Sequence, residues 1–374
     1  MEPDRLDLRS LESTRETIAY ANGGLFPVLV ATRDGGYLAI VRGGAGHYGR
    51  EGRIDLVRSA DGGRTWSAPT ILADSKRDDR NPSIGVLRDG TIVACYQRQG
   101  SYDDEGCYRA KPPSDLGDRP IDLVVTRSAD DGWSWEAPQN LAIPWLQSAS
   151  PFGRMVELAD GTLIMPVYGH ATEYGRDPKS NSYLVRSSDG GRTWSDVSRI
   201  SSGMTETTVL ALGDGALIAA MRADDDVQGL HVARSLDAGR TWNSPQPITG
   251  AHEHPADLTE LSAGVVVVWY ARRTPPYRIE GRLSRDGGRS WLDLRLVVSG
   301  PLYGVDLDDP RTTDFGYPST CVANGRGTTI YYQHIAPWRL ARVDDRYRSD
   351  NYRATAVSWS EPELVAALRG HGVL

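Results

Sequence analysis

An eight-residue signature, Ser-x-Asp-x-Gly-x-(Thr/Ser)-Trp, recurs five times along this chain and constrains its fold more than any other feature. The copies are SADGGRTW from Ser59, SADDGWSW from Ser128, SSDGGRTW from Ser187, SLDAGRTW from Ser235 and SRDGGRSW from Ser284. Each follows a short β-rich run such as IDLVRS or LHVARS. The aspartate suits a tight turn, where its carboxylate accepts backbone N–H groups, and glycine supplies the positive φ that such a turn needs. The tryptophan offers a large apolar plate to wedge between sheets. The motif reads as a hairpin staple, and no chemistry is assigned to it.

A second repeat lies between the boxes: strand, Asp-Gly-type turn, strand. Its six copies are LFPVLVATRDGGYLAIVR, RNPSIGVLRDGTIVACYQR, FGRMVELADGTLIMPVYG, ETTVLALGDGALIAAMR, HPADLTELSAGVVVVWYARR and GYPSTCVANGRGTTIYYQH. Six inner hairpins with five boxed outer hairpins predict an all-β, six-bladed β-propeller of four-stranded antiparallel blades, one domain over residues 1–374. The unboxed sixth blade takes NYRATAVSW, and the segment around Thr14 to Ala21 supplies its outer strand and closes the ring. The 40 Gly and 22 Pro supply the turns that so many short strands need.

Bulk properties exclude several classes. No apolar run approaches the roughly 20 residues of a membrane span. A net charge of −7 argues against a nucleic-acid partner. Cys95, Cys107 and Cys321 are odd in number, lack metal-ligand spacing and suit a reducing compartment. Met1 to Thr17 carries no apolar leader, so a cytoplasmic location is expected, or a secreted one if a leader has been removed. Phosphate-loop, dinucleotide and helical zinc signatures are absent, and the His252/His254 pair is weak evidence for a metal; no cofactor is expected.

In each blade the innermost strand starts, and the second ends, at one mouth of the central funnel, with the boxes at the far end. Blade one brings Phe26 and Arg42 there, then the loop GGAGHYGREG with His47 and Glu51. Blade two brings Arg80 and blade three Tyr168. Blade four brings Glu206 and Arg222, and blade five His254 with Arg272 and Arg273. Blade six brings Tyr317, His334 and Trp338. Such a concavity suits a small ligand.

Over almost its whole length the chain resembles the sialidase superfamily, whose Asp-box (BNR) repeats match the five signatures. The segment TETTVLALGDGALIAAMR resembles the family stretch in which a Glu opens an inner strand and an Arg ends the next, which implies Glu206 and Arg222. FGYPSTCVA resembles the late Tyr-Ser stretch and implies Tyr317 as nucleophile, with Glu206 polarising its hydroxyl. Most glycosidases work with two carboxylates, and sialidases, with their tyrosine nucleophile, are an exception to that rule. The family holds a substrate carboxylate with three arginines. Arg222 and, before the fifth box, Arg278 are implied as two. The third opens blade one as Arg-Ile-Pro, where this chain has Leu25-Phe26-Pro27; Arg80 holds the same register one blade later. The family's acid/base Asp has His47 in its loop here.

The resemblance implies an exo-acting glycoside hydrolase with an oligosaccharide or glycoconjugate substrate. Arg222, Arg278 and Arg80 are the substrate contacts it implies, Arg42, His254 and Tyr168 join them from their place at the mouth, and Tyr317, Glu206 and His47 are the catalytic set. Three alternatives stand beside it: an exo-arabinanase-like hydrolase of a neutral sugar, a lyase acting on a uronate-containing sugar, and a glycan-binding propeller without turnover. Oligomeric state is not readable from the sequence.

Overall fold

Each inner hairpin becomes half of a four-stranded antiparallel sheet, and six such sheets form a β-propeller in a computed structural model of the chain. The structure describes residues 4–102, 106, 108, 121–143, 145–171, 180–224, 229–300, 302, 314–335 and 348–374. Trp338 and Cys107 lie outside the described residues.

Blade one runs outward through Leu25–Ala31, Tyr37–Gly43, Arg53–Ser59 and Thr70–Ala73. Blade two holds Asp78–Val86, Ile92–Gln99, Asp122–Ser128 and Gln139–Leu141. Blade four holds Met204–Ala211, Leu217–Ala223, Leu230–Ser235 and Gln246–Pro247. Blade five holds Glu253–Glu260, Val266–Arg272, Arg278–Ser284 and Arg295–Val297. Blade six pairs Gly316–Ala323, Arg326–His334 and Tyr352–Ser360 with the N-terminal strand Arg15–Ala21 at its outer edge. First and last parts of the chain thus share one sheet, and the ring closes by hydrogen bonding.

Blade three departs from the simple hairpin expected of FGRMVELADGTL. Its inner strand is Leu146–Pro151, upstream of that segment, and only Val156–Glu157 continues the pairing to Leu163–Ala171. Asn181–Ser187 and Asp196–Ser202 complete it. The break is occupied by Arg154, whose guanidinium reaches blades one, five and six. It donates to Thr320 O at 2.8 Å, to Leu258 O at 2.6 Å and to Ser319 Oγ at 3.3 Å, and it lies 2.9 Å from the Asp257 carboxylate. Its backbone also bridges Ile84 of blade two. Outside the repeat pattern, Arg5–Asp7 pairs in parallel with Arg295–Val297, and a helix, Glu361–Gly370, follows blade six.

Apart from one small cluster at the mouth, the hydrophobic core among the described residues falls into six clusters, each shared by two neighbouring blades, because both faces of every sheet are covered. The five box tryptophans each join one of these seams, between their own blade and the preceding one. In the first box Asp61 Oδ1 accepts from the Arg64 and Thr65 N–H groups at 3.1 and 2.9 Å, and Trp66 donates to Gly63 O at 3.1 Å. Ser59 pairs with Tyr37 and Arg53 with Gly43, so the box turns lie at the end of each blade away from the mouth.

Candidate active site

One irregularity is common to all six inner strands. Each carries one extra residue against its second strand, at Leu25/Val28, Arg80/Ser83, Gln147/Ser150, Thr205/Thr208, Glu253/Ala256 and Gly316/Ser319. Such bulges bend a strand and re-aim a side chain. In five blades the first bulged residue has left-handed backbone: Phe26 (φ 53°), Asn81 (48°), Ser148 (54°), Glu206 (34°) and Tyr317 (50°). In blade five the bulged pair is His254–Pro255, and the left-handed residue is His252 at 59°. Non-glycine residues in this region cost on the order of 1 kcal/mol or more each, a pattern concentrated at functional sites. Glu206 and Tyr317, 111 positions apart, therefore occupy the same structural position in blades four and six.

They meet. The Tyr317 hydroxyl donates to Glu206 Oε1, and Glu206 Oε2 accepts from Arg222 Nη1 at 2.8 Å. Burial first, and then the Glu206 charge, push the Tyr317 phenol well above its ordinary range, against the pull of Arg222 and Arg273. The same two causes push half-buried Tyr168 up to about 12. His254 is buried, and burial, then the charges of Arg273 and Arg222, drive its imidazole far below its ordinary value, so it is neutral. Glu206, Arg222, Tyr317, Tyr168 and His254 thus share one electrostatic neighbourhood.

Phe26 fills the ring position of blade one, 4.9 Å from Tyr317 between ring centroids. Beyond it the Arg80 guanidinium lies 5.6 Å from the Phe26 ring and 5.5 Å from Tyr48, with Asp78 at 3.7 Å. His47 meets Phe26 edge-on at 5.2 Å. Its Nδ1 lies 3.0 Å from Asp314, a residue just before the inner strand of blade six.

Two implied substrate contacts are placed elsewhere. Arg42 has no exposed surface; it binds Asp78 and donates from Nε to Gly46 O at 2.8 Å, so it anchors the His47 loop. A Cβ on Gly52 would sit 2.0 Å from Asp78 and 2.5 Å from the Arg42 guanidinium, which makes this pair dependent on glycine there. Arg278 lies on the third strand of blade five, 2.6 Å from Glu280, whose carboxylate also faces Arg272 at 3.7 Å. The arginine beside Tyr317 is Arg273. It donates to Phe315 O at 2.8 Å, sits 5.8 Å from the Tyr317 ring and has no carboxylate partner among the described residues. Glu51 is solvent-exposed. Sequence reading passed over Asp314 altogether, since nothing local ties it to His47, 267 positions away. The ring itself had a signal: Phe26, Asn81, His254 and Tyr317 each precede a proline at a hairpin start.

The BNR repeat-like domain family matches residues 36–331. A sialidase of Bacteroides fragilis is 28% identical over 186 residues, 45% of this chain and 33% of that relative, so the match spans about a third of the relative's length. Among solved structures, a Dyadobacter fermentans protein of unknown function aligns with a TM-score of 0.73 at 21% identity, covering 94% of this chain and 100% of that one. Trypanosoma rangeli sialidase in complex with sialic acid aligns with a TM-score of 0.69 at 16% identity, covering 98% of this chain and 61% of that one. At these identities the structural likeness establishes the fold alone. The five boxes, the closed six-bladed ring and the match over most of the chain place this protein in the BNR repeat-like domain family, within the sialidase-like superfamily.

Proposed function

We propose that the chain is an exo-acting glycosidase in which Tyr317 attacks the anomeric carbon of an anionic terminal sugar. The carrying observation is the hydrogen-bonded chain Tyr317–Glu206–Arg222. A phenol is a poor nucleophile at neutral pH until a base takes its proton, and Glu206 is within reach to do so as the bond to carbon forms. The bond from the anomeric carbon to the leaving oxygen breaks in the same step, leaving a covalent sugar–tyrosine intermediate that water then cleaves. A neutral phenol meets an anionic sugar without the repulsion that a carboxylate would bring. Arg222 and Arg273 supply the counter-charge, and Arg273 has a guanidinium uncommitted to any acidic side chain among the described residues.

The test is a screen of purified protein on chromogenic sialosides, glucuronides and arabinofuranosides, with Tyr317→Phe and Glu206→Gln alongside. Tyr317→Phe is expected to lower kcat by about 10³-fold or more while its far-UV spectrum and melting temperature stay close to the parent. Near-normal turnover by Tyr317→Phe refutes the assignment. Preference for an arabinofuranoside over every acidic sugar refutes the anionic substrate.

A further inference from the structure

We propose that His47 and Asp314 form the proton-transfer couple of this site, with His47 Nε2 as the acid and base and Asp314 as its positioning residue. This rests on the glycosidase reading and adds the group that reading lacks. Asp314 is buried and accepts from three donors: His47 Nδ1 at 3.0 Å, the Tyr332 hydroxyl at 2.7 Å and the Tyr352 hydroxyl at 2.5 Å. Burial alone would raise its pKa, but the His47 charge and these hydrogen bonds outweigh it and hold the carboxyl far below the ordinary range. An ionised carboxylate only accepts, so the proton of the His47 contact sits on Nδ1. That fixes the tautomer and leaves Nε2 as the working atom.

The position is also set. Arg42 holds Gly46 O, and the Tyr102 hydroxyl accepts from Gly49 N–H at 2.9 Å, so the loop is pinned on both sides of the imidazole. Phe26 stands between the His47 ring and Tyr317, in edge contact with both, which places the couple one aromatic ring from the nucleophile. The imidazole keeps 24% of its surface exposed, enough to meet a substrate. Among the described residues, the titratable and charged groups around it are Asp314, Tyr332 and Tyr352 from blade six, Tyr48 beside it at 4.7 Å, Tyr317, and Arg80 beyond Phe26 and Tyr48.

In the first half-reaction His47 Nε2–H gives its proton to the glycosidic oxygen as the carbon–oxygen bond breaks. The Tyr317 oxygen bonds to carbon, and its proton passes to Glu206. In the second half neutral Nε2 takes a proton from water as water attacks the anomeric carbon. The carbon–tyrosine bond breaks, and Glu206 returns the proton to the phenol oxygen.

Aryl glycosides of one accepted sugar, graded in leaving-group acidity, separate these roles. In kcat/KM, which reports the first half-reaction alone, His47→Ala, with His47→Gln as a second variant, is expected to lose about 10²-fold or more with poor leaving groups and less than about threefold with dinitrophenolate, which departs without protonation. Asp314→Asn, whose amide no longer fixes the Nδ1–H tautomer, is expected to show the same leaving-group dependence as the His47 variants, with about a 10-fold loss of kcat/KM for poor leaving groups and less than about threefold for dinitrophenolate. Tyr317→Phe loses activity with every leaving group. A loss of kcat/KM in the His47 variants that is equal across leaving groups, or one in Asp314→Asn that does not follow leaving-group acidity, overturns the couple while leaving the tyrosine assignment intact. Full activity in Tyr317→Phe overturns the tyrosine assignment instead.

Discussion

Replacing Arg154 by methionine removes the cation that ties four blades together near the inner strands. Its guanidinium lies 2.9 Å from Asp257, a residue only 3% exposed, so the substitution leaves a buried carboxylate without its counter-ion. Breaking a buried pair from one side costs about 3–5 kcal/mol. Asp257 keeps the Thr320 N–H at 2.6 Å, and the Arg154 side chain is 18% exposed, so the lower end, about 3 kcal/mol, is expected. With roughly 2.1 cal/mol/K of unfolding entropy per residue and 374 residues, the melting temperature should fall by about 4 °C. The pH dependence gives a second handle. Burial already raises the Asp257 pKa, and Arg154 opposes that rise, so the variant raises it further. A carboxyl whose folded pKa exceeds its unfolded one penalises the folded state above the unfolded value and is relieved as protonation sets in. The difference in melting temperature between variant and parent should therefore shrink from pH 7 towards pH 4, and Asp257→Asn added to the variant should recover part of it. A difference below about 1 °C at pH 7, or one that grows on acidification, would refute this account.

Arg42→Met should lower stability by about 3 kcal/mol or more, because Asp78 is equally buried, and should reduce turnover with it through the His47 loop; paired unfolding and rate measurements check both. Arg273→Met should raise KM for an acidic sugar about 10- to 100-fold, the worth of one charge-assisted hydrogen bond, and leave KM for a neutral analogue of the same sugar unchanged. In the third box, Asp189→Ala should cost about 1 kcal/mol at pH 7 after solvent screening. Its carboxyl is held down to about 2: burial opposes this, but bonds from Thr193, Ser187 and Arg192 win. That contribution is present above the ordinary carboxylate range and fades as pH falls from about 4 to 2, which acid unfolding of variant and parent will show.

The parts of the fold legible from sequence are those whose hydrogen bonds close within a few residues. The box is of this kind: Asp61 finds its donors three and four positions on. Alternation and Asp-Gly turns expose the hairpins for the same reason. Blade three is misread from sequence because Arg154 serves partners 125, 104 and 166 positions away, and nothing in FGRMVELADG announces them. Strand register brings Arg42 correctly to the mouth end of its strand, yet Asp78, 36 positions later, takes its charge. The choice between Arg278 and Arg273 likewise turns on Glu280, whose buried carboxylate captures the former. Glu206, Arg222 and Tyr317 are nameable because each stands at a strand end within a repeat. Asp314 stands outside the repeats, and only closure of the ring brings it to His47.

The bulge ring explains how one scaffold can carry unlike chemistries. Phe26 and Tyr317 pack with Leu25, Tyr332 and Tyr352 in a small cluster of their own, apart from the six seams that hold the blades together. A change of side chain at a ring position therefore alters the site while leaving the seams intact, and the cost of the left-handed backbone is borne by the blade whichever residue stands there. An aromatic ring at Phe26, next to Leu25 where the resemblance expects an arginine, sits at such a position. It leaves Arg222 and Arg273 on the side of Tyr317 and Arg80 on the far side of Phe26, so positive charge is divided rather than gathered on one point. The Phe26 ring touches both the His47 imidazole and the Tyr317 ring, so one side chain sets the spacing between them. On the proposed reading, in which His47 supplies the proton, Phe26 is the side chain that joins the arginine-free start of blade one to the proton donor, because it packs beside Leu25 and meets the imidazole edge-on.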